Sequence, residues 1–428
     1  MSKNTDQFGP FGAFYYENGE LTVDGIALSK LTQKYGSPLY VYSGKAIRDS
    51  YARLNQAVQK LPVQICYAVK ANSNIHILQL LSKLGAGCDL VSYGEWHRAE
   101  LAKVPRQKRV LSGVAKTAVE LEKLFALEGG GVGSIHVESA MEFEMIILMA
   151  NAMHRSVKVA FRYNPDVDAK TLDKISTGRK QDKFGLTREE ILDLVTQYGD
   201  DGFVTISGLS IHIGSQITSL VPFEAAFKKL KSLVAEVESH LPYPLEYVDL
   251  GGGIGVKYRD EKLIDLNAYA ALIKKYFKDM PKILLEPGRS LIANAGVLVS
   301  EVVYSKVRGK NQTLILDSGM NDLVRPALYE AHHEIAPLLQ NKEKPSAWDV
   351  VGGICESTDY FARNRKLSIE GLPGEGIAIL SAGAYGFSMS STYNSRPRVA
   401  EVLVDQGKVK LIRKRESLDD LVKHELMK

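Results

Sequence analysis

Candidate β-strands and amphipathic helices alternate eight times through the middle of this chain. The strands are predicted to end near residues 70, 91, 112, 138, 163, 213, 250 and 286. Segments with helical spacing lie between them, among them 75–84, 119–127, 141–149, 223–237 and 266–277. Eight such units in about 250 residues fit a closed (β/α)8 barrel of the TIM type, whose functional residues gather at the carboxyl ends of the strands. The alternative is an open doubly wound sheet, but no Gly-x-Gly-x-x-Gly turn follows the first strand to support it.

The pattern changes after Pro287, where strands follow one another without helices. These strands are predicted at 297–306, 312–316, 349–351, 377–380, 399–404 and 409–412. A hairpin near the N-terminus, with a turn at Glu17-Asn18-Gly19-Glu20, has no partner inside a barrel. We therefore predict a barrel domain at 43–291 and a discontinuous β-rich domain, a sandwich or small barrel, made of 1–42 and 292–428.

Composition narrows the class of protein. The 428 residues carry a formal net charge of +4 without a basic run, which argues against nucleic acid as a partner. No stretch of eighteen apolar residues is present, and Met1–Gln7 lacks the apolar segment of a signal peptide, so we expect a cytoplasmic protein that does not bind a membrane. The three cysteines lack the spacing of metal ligands or of a disulfide framework, and no metal site is predicted.

Lys70 lies at the end of the first strand of the barrel pattern, just before a polar loop that begins at Asn72. Period-two alternation places it on one strand face with Cys66 and Ala68. Partial desolvation lowers the pKa of an ammonium group and frees the amine as a nucleophile towards a carbonyl. The alternative is a strand-end lysine that simply extends into water.

Three later strand ends also carry residues suited to chemistry. His212 precedes the small pair Gly214-Ser215, and a histidine there could pack flat against an aromatic ring. Asp249 is followed by Gly251, Gly252 and Gly253, whose backbone N–H groups could cradle a phosphate, although such a run also marks ordinary tight turns. The third is Glu286-Pro287-Gly288-Arg289-Ser290.

With these motifs in this order, Tyr67-Ala68-Val69-Lys70-Ala71-Asn72 resembles the lysine motif of the barrel-type (fold type III) pyridoxal-phosphate-dependent amino-acid decarboxylases. The resemblance extends from about Leu39 to Val404. It implies pyridoxal 5'-phosphate as the cofactor, Lys70 as the Schiff-base lysine, His212 stacked on the ring and Glu286 paired with the pyridine nitrogen. Further cofactor contacts that it implies are Asp89, Ser215, Gly251, Gly252, Gly253, Gly288, Arg289 and Tyr385.

The β-rich part indicates which substrate is used. Gly353-Ile354-Cys355-Glu356-Ser357 resembles the motif of the diaminopimelate-specific branch, whereas ornithine-type members have aspartate after the cysteine. A substrate with an amino-acid head at each end needs a cation for its remote carboxylate and an acceptor for its remote ammonium. The substrate contacts predicted on this basis are Arg289, Arg325, Tyr329, Glu356 and Tyr385. The alternative for Arg325 and Glu356 is an ordinary surface ion pair.

The resemblance thus implies an enzyme, a carboxy-lyase that converts meso-2,6-diaminopimelate to L-lysine and CO2, the last step of lysine biosynthesis. It also implies Cys355 as the proton donor, and a homodimer in which each active site takes Cys355 and Glu356 from the partner. Decarboxylation of ornithine, arginine or carboxynorspermidine, and a non-catalytic cofactor-binding protein of the same fold, remain alternatives.

Two positions depart from the family pattern. The chain has Tyr93-Gly94-Glu95 where Gly-Gly-Glu is common, and Leu172-Asp173 where His-Pro is frequent. The second falls in a long polar stretch, 166–185, that we expect to be a mobile loop over the mouth of the barrel.

Overall fold

The computed structural model describes residues 7–8, 13–168, 183–199 and 201–426. The chain divides into two compact units. The barrel unit comprises Tyr51–Gly255 and Lys262–Ser290, and the β-rich unit comprises Met1–Ser50, Val256–Glu261 and Leu291–Lys428. The domain bounds read from the sequence, 43 and 291, stay a prediction. Most of the polar stretch 166–185 lies outside the described residues.

The strands are β1 Gln7–Phe8, β2 Phe14–Glu17, β3 Glu20–Val23, β4 Ile26–Ala27, β5 Leu39–Ser43, β6 Val63–Ala68, β7 Gly87–Leu90, β8 Arg109–Leu111, β9 Ser134–Val137, β10 Val157–Arg162, β11 Val204–Ser210, β12 Tyr247–Asp249, β13 Ile283–Leu285, β14 Gly296–Arg308, β15 Asn311–Leu316, β16 Ile335–Pro337, β17 Ser346–Val351, β18 Tyr360–Leu367, β19 Gly376–Ile379, β20 Ala400–Asp405 and β21 Lys408–Arg413.

The α-helices are α1 Leu28–Tyr35, α2 Gly44–Val58, α3 Ile75–Lys83, α4 Tyr93–Leu101, α5 Ala118–Phe125, α6 Ala140–Met153, α7 Arg188–Tyr198, α8 Leu220–His240, α9 Leu266–Phe277, α10 Arg289–Ile292, α11 Arg325–Tyr329 and α12 Leu418–Val422. No described helix has the length and apolar character needed to cross a membrane.

In the barrel unit, strands β6 to β13 form a closed parallel barrel. Closure is made by β13 and β6, where Leu285 pairs with Ile65. A buried cluster in the barrel takes one residue from each of five strands: Cys66, Val110, Ala160, Tyr247 and Leu284. Outside the strands, α8 and α9 pack through aromatic rings, among them Phe223 and Tyr269 with centroids 5.0 Å apart. The predicted (β/α)8 barrel is confirmed, and every predicted strand end lies within a few residues of the observed one.

In the β-rich unit, β1 to β4 form a four-stranded sheet in which β2 and β3 are the predicted hairpin. The larger sheet has nine strands, in the order β18-β17-β15-β14-β5-β20-β21, with β19 pairing to β14 and β16. Strand β5 pairs antiparallel with β14 and parallel with β20, so the chain before the barrel is built into this sheet. The sequence patterns did not predict β1, β4, β16 and β18. Strand β18 reads Tyr-Phe-Ala-Arg-Asn-Arg-Lys-Leu, and its charged residues obscure the apolar alternation.

Candidate active site

Lys70 lies at the carboxyl end of the barrel, but not on a strand. Strand β6 ends at Ala68, and Val69–Ala71 form a turn of 3-10 helix, so the predicted alternation with Cys66 and Ala68 is wrong at this residue. The hydroxyl of Tyr67 donates to the carbonyl of Asn72 (3.0 Å) and ties the two ends of the turn together. The Lys70 side chain remains 34% exposed, with its Nζ 2.9 Å from Asp89 Oδ2. Asp89 therefore orients the amine, and the side chain is still accessible.

Asp89 is fully buried near the end of β7. Burial alone would raise its pKa, but the charge of Lys70 and a hydrogen bond from the Ser112 hydroxyl outweigh it and lower the pKa. Asp89 is thus an anion that orients the Lys70 ammonium.

Two further carboxyl groups lie buried at the ends of neighbouring strands. Glu286 directly follows β13 and Asp249 is the last residue of β12. Among the described residues, Glu286 Oε1 and Asp249 Oδ2 accept no hydrogen bond. Burial raises the pKa of Asp249 to about 7. It also raises the pKa of Glu286 well above its usual value, and the Asp249 charge adds to that shift.

The buried imidazole of His136, on β9, lies between these two carboxyl groups. Its Nδ1 is 3.9 Å from Glu286 Oε1 and its Nε2 is 3.9 Å from Asp249 Oδ2. Burial lowers the pKa of His136 to about 3, so the ring is neutral and does not compensate their charge. A buried hydrogen-bond acceptor without a partner lowers the stability of the fold unless a ligand supplies a donor. A protonated nitrogen in the ring of a ligand would be such a donor.

The glycine run after β12 has room for backbone only. A Cβ at Gly251, Gly252 or Gly253 would collide with a carbonyl oxygen, of Ile211, Glu286 and Gly214 respectively. Gly251 and Gly253 also have φ of +67° and +97°, which favours glycine. The tight turn is therefore a requirement of the site.

Two of the three N–H groups that could cradle a phosphate are already bonded within the protein. Gly251 donates to Asp249 Oδ1 (2.8 Å) and Gly252 donates to His212 Nδ1 (3.2 Å), because both side chains turn back onto the loop. His212 is consequently fixed with its Nδ1 as an acceptor. Burial, with the charge of Lys70, lowers the pKa of His212 to about 3, so it presents a neutral, flat ring.

Arg289 and Ser215 meet at one edge of the glycine run. Arg289 is 7% exposed at the start of α10, and its Nε and Nη2 donate to Ser215 Oγ over 3.2 and 3.0 Å. At Gly288 a Cβ would lie 3.0 Å from the Cβ of Ala71, so this glycine lets α10 approach the Lys70 turn. All the barrel-unit residues predicted for the site thus lie at the carboxyl end of the strands.

The remaining predicted residues belong to the β-rich unit. Arg325 begins α11 and is 6% exposed, so it is not the surface ion-pair residue of the alternative reading. Its Nη1 is 2.8 Å from His333 Nε2, and its guanidinium lies 4.6 Å from the centre of the Tyr258 ring. Tyr329 ends the same helix and is partly buried. The Arg325 fork is therefore held rigidly from two sides.

Cys355 and Glu356 lie on an exposed turn of the β-rich unit. The Cys355 thiol is free, and its N–H donates to Asn394 Oδ1 (2.8 Å). Glu356 accepts a hydrogen bond from the Tyr393 hydroxyl (3.0 Å). Tyr385 is partly buried, with a left-handed backbone of φ 55° that is uncommon for a side chain of this size.

Sequence reasoning missed part of the site. It named no role for His136, for Asp249 as a titrating group, or for the Arg162–Glu138 ion pair of 2.6 Å at the ends of β10 and β9. The available signal was polarity inside otherwise apolar strands, since His136 lies between Ile135 and Val137. Such a residue must point into the barrel or onto its helices.

The fold and this arrangement of lysine, carboxyl groups and glycine turn define a pyridoxal-phosphate-dependent decarboxylase. Residues 45–293 match the family described as pyridoxal-dependent decarboxylase, pyridoxal binding domain, and the chain belongs to that family. Its cofactor is accordingly pyridoxal 5'-phosphate.

Close relatives narrow the class further. A diaminopimelate decarboxylase of Zymomonas mobilis is 43% identical over 96% of this chain and 98% of its own length. That of Aquifex aeolicus is 42% identical over 96% and 97%. The crystal structure of diaminopimelate decarboxylase from Helicobacter pylori complexed with L-lysine has a TM-score of 0.88 at 38% identity, covering 92% of this chain and 98% of that one. Within the family, the chain belongs to the diaminopimelate decarboxylases, and the alternatives of another basic substrate or a non-catalytic protein are set aside.

The buried carboxyl pair predicts how stability depends on pH. Asp249 has a pKa of about 7 in the folded protein and about 3.9 when unfolded, so the native state binds more protons between these values. The free energy of unfolding of the cofactor-free protein should therefore fall as pH rises from 4 to 7. Asp249→Asn keeps the acceptor for Gly251 and removes the titration. Urea unfolding should show the variant more stable than wild type at pH 8, by on the order of 2–4 kcal/mol, and equally stable near pH 4.

The exposed Asp279→Asn is the matched control and should follow wild type at every pH. A difference between Asp249→Asn and wild type that stays constant across the pH range would contradict this account of the buried pair.

Proposed function

We propose that this chain decarboxylates meso-2,6-diaminopimelate to L-lysine and CO2, using the residues assembled at the barrel mouth. The observation that carries the proposal is the placement of the accessible Lys70 side chain, its Asp89 partner and the Glu286 carboxyl, whose Oε1 accepts no hydrogen bond from the described residues, at the ends of three barrel strands. The near-full-length similarity to diaminopimelate decarboxylases supports the choice of substrate.

The residues present fit pyridoxal phosphate. Glu286 Oε1 offers the unsatisfied acceptor that a protonated ring nitrogen needs, and His212 offers a neutral ring for stacking. Gly253 and the Ser215–Arg289 pair offer donors for the phosphate at the tight turn after β12. When bound, the cofactor supplies a sink for the electron pair left at the substrate Cα as the carboxylate departs.

Lys70 and the three buried acids, Asp89, Glu286 and Asp249, have different electrostatic roles. Lys70 supplies the amine that holds the cofactor covalently, and Asp89 fixes the direction of its Nζ. Burial and their mutual repulsion disfavour Glu286 and Asp249 as two anions. Glu286 would become a favourable carboxylate next to a cation, and it would then keep the ring nitrogen of the cofactor protonated.

The substrate contacts are assigned to the β-rich unit and to Arg289. The rigid guanidinium of Arg325 suits bidentate binding of the remote carboxylate. Glu356 would accept from the remote ammonium, Tyr329 and Tyr385 would line the substrate, and the free thiol of Cys355 would protonate Cα. In the homodimer that we propose, Cys355 and Glu356 come from the partner subunit. A cytoplasmic location belongs to the same proposal, because all three cysteines are free thiols.

The assignment of Lys70 predicts where the cofactor is attached. The loaded protein should be yellow, and borohydride should fix the cofactor irreversibly to Lys70, as peptide mapping would show. Lys70→Ala should lower turnover by about a thousandfold or more, because the covalent partner is lost. Lys83→Ala, on α3, is the control and should keep activity. Reduced cofactor recovered on another lysine would disprove the assignment.

The assignment of Arg325 predicts substrate selectivity. CO2 release should be at least about a hundredfold faster, as kcat/KM, from meso-diaminopimelate than from ornithine, arginine or lysine, since those substrates lack the remote carboxylate. Arg325→Lys keeps the charge but loses the fork, and should lower kcat/KM for diaminopimelate about tenfold or more. Arg363→Lys is a matched control, because Arg363 also stacks on a tyrosine of the β-rich unit, Tyr360. Equal losses in the two variants would argue against Arg325 as the substrate contact.

The shared-site proposal predicts complementation. Lys70→Ala and Cys355→Ala homodimers should both be nearly inactive. Mixed under conditions that exchange subunits, half of the dimers become hybrids, and each hybrid has one site with both residues intact. Activity should recover to about one quarter of wild type by this symmetry. No recovery, with exchange verified by a mass-tagged subunit, would place Cys355 and Lys70 of one chain in the same site.

A further inference from the structure

A cavity lies at the opposite end of the barrel from Lys70. Its volume is about 650 Å³, and its lining includes the first or second residue of several barrel strands, among them Arg109, Ser134, Val157, Thr205 and Tyr247. Parallel strands begin at this end, so the cavity is separate from the mouth where the strands finish. None of the residues assigned to the active site lines it. Its volume is within the range of small-molecule sites.

The floor of this cavity is apolar and its rim is basic. Cys66, Val110, Tyr247 and Leu284 are all at most 5% exposed and form the floor. The charged residues among the lining are one acid and five bases: Glu246, Arg106, Lys108, Arg109, Lys158 and Lys282. An apolar body with an anionic end would match both parts of such a surface.

Some of the bases are occupied within the protein. Arg109 is buried and bonded to Glu100 (2.6 Å) and to the carbonyl of Val104, and Arg106 shares Glu100. Lys158 is paired with Glu246 at 2.6 Å. The charges of these three side chains are therefore largely compensated within the protein, and the side chains mainly stabilise the fold.

Two lysines of the lining, Lys108 and Lys282, can still bind an anion. Lys108 Nζ donates to the carbonyl of Gly85 (3.1 Å), which uses one of its three protons and no carboxylate. Lys282 directly precedes β13, and the described residues give its Nζ no hydrogen bond or ion pair. Both lysines line the cavity together with Cys66, Val110 and Leu284. The uncompensated positive charge is therefore next to the apolar floor.

We propose that this cavity, the basal cavity, binds a small organic anion with its phosphate or carboxylate group at Lys108 and Lys282 and its apolar part against Val110, Tyr247 and Leu284. Anionic oxygen atoms gain charge-assisted hydrogen bonds from the ammonium groups, and the apolar part gains burial. The site is independent of the proposed decarboxylation.

The test is calorimetric titration of the pyridoxal-phosphate-saturated enzyme with phenyl phosphate, so that the cofactor already fills its own phosphate site. We expect one additional phenyl phosphate per chain, and no binding of benzylamine, which has a similar ring and the opposite charge. Absence of phenyl phosphate binding, or equal binding of benzylamine, would overturn the proposal.

Variants locate the binding. Lys282→Gln should weaken the affinity about tenfold, and Lys282→Arg should largely restore it. Lys278→Gln removes the same charge from an exposed residue outside the lining and should stay within about twofold of wild type.

Ser156→Trp changes the shape of the site without a change of charge. Ser156 is an exposed residue of the lining, and an indole there should occlude the cavity and weaken binding at least about tenfold. If Ser156→Trp binds like wild type, or if Lys282→Gln and Lys278→Gln lose affinity equally, phenyl phosphate is held by general surface charge and the basal cavity is not its site.

Discussion

Closure of the parallel barrel is the constraint on which the rest of the site depends. When β13 pairs with β6, the residues that follow eight separate strands are brought to one opening, although Lys70 and Glu286 are far apart in sequence. Backbone hydrogen bonds, more than contacts between the functional side chains, set these positions. For this reason a site that buries several carboxyl groups close together can persist in a stable fold.

The cost of that site is electrostatic. Glu286 and Asp249 are buried with a neutral His136 between them, and an uncompensated buried charge costs several kcal/mol. The protein without cofactor lowers this cost by keeping protons on the pair, as the raised pKa values of both carboxyl groups indicate. On the proposed pairing of Glu286 with the cofactor ring, binding of a cationic ring would favour the ionised carboxyl group, so cofactor affinity and carboxyl protonation would be linked.

The sequence predicted the structure best where a residue type or pattern occurs in only a few structural roles. Alternation of strands and helices predicted the barrel, and glycines that tolerate no Cβ marked the turn after β12. It was least informative where a contact depends on tertiary geometry. The 3-10 turn that carries Lys70 looked like a continued strand, because Val69 has high β propensity and no local residue signals the change. Likewise, nothing near Gly252 in sequence shows that His212 accepts its N–H.

The glycine turn after β12 also bears on how enzymes of this architecture can diversify. Its three positions are fixed by carbonyl oxygens of adjacent loops, so no substitution there can be compensated by a different side-chain rotamer. Glu356, by contrast, stands on an exposed turn, where its carboxylate accepts a hydrogen bond from the Tyr393 hydroxyl. On the proposed substrate contacts, a change of substrate is therefore open to side-chain substitution in the β-rich unit, while the backbone-built turn of the barrel tolerates no side chain.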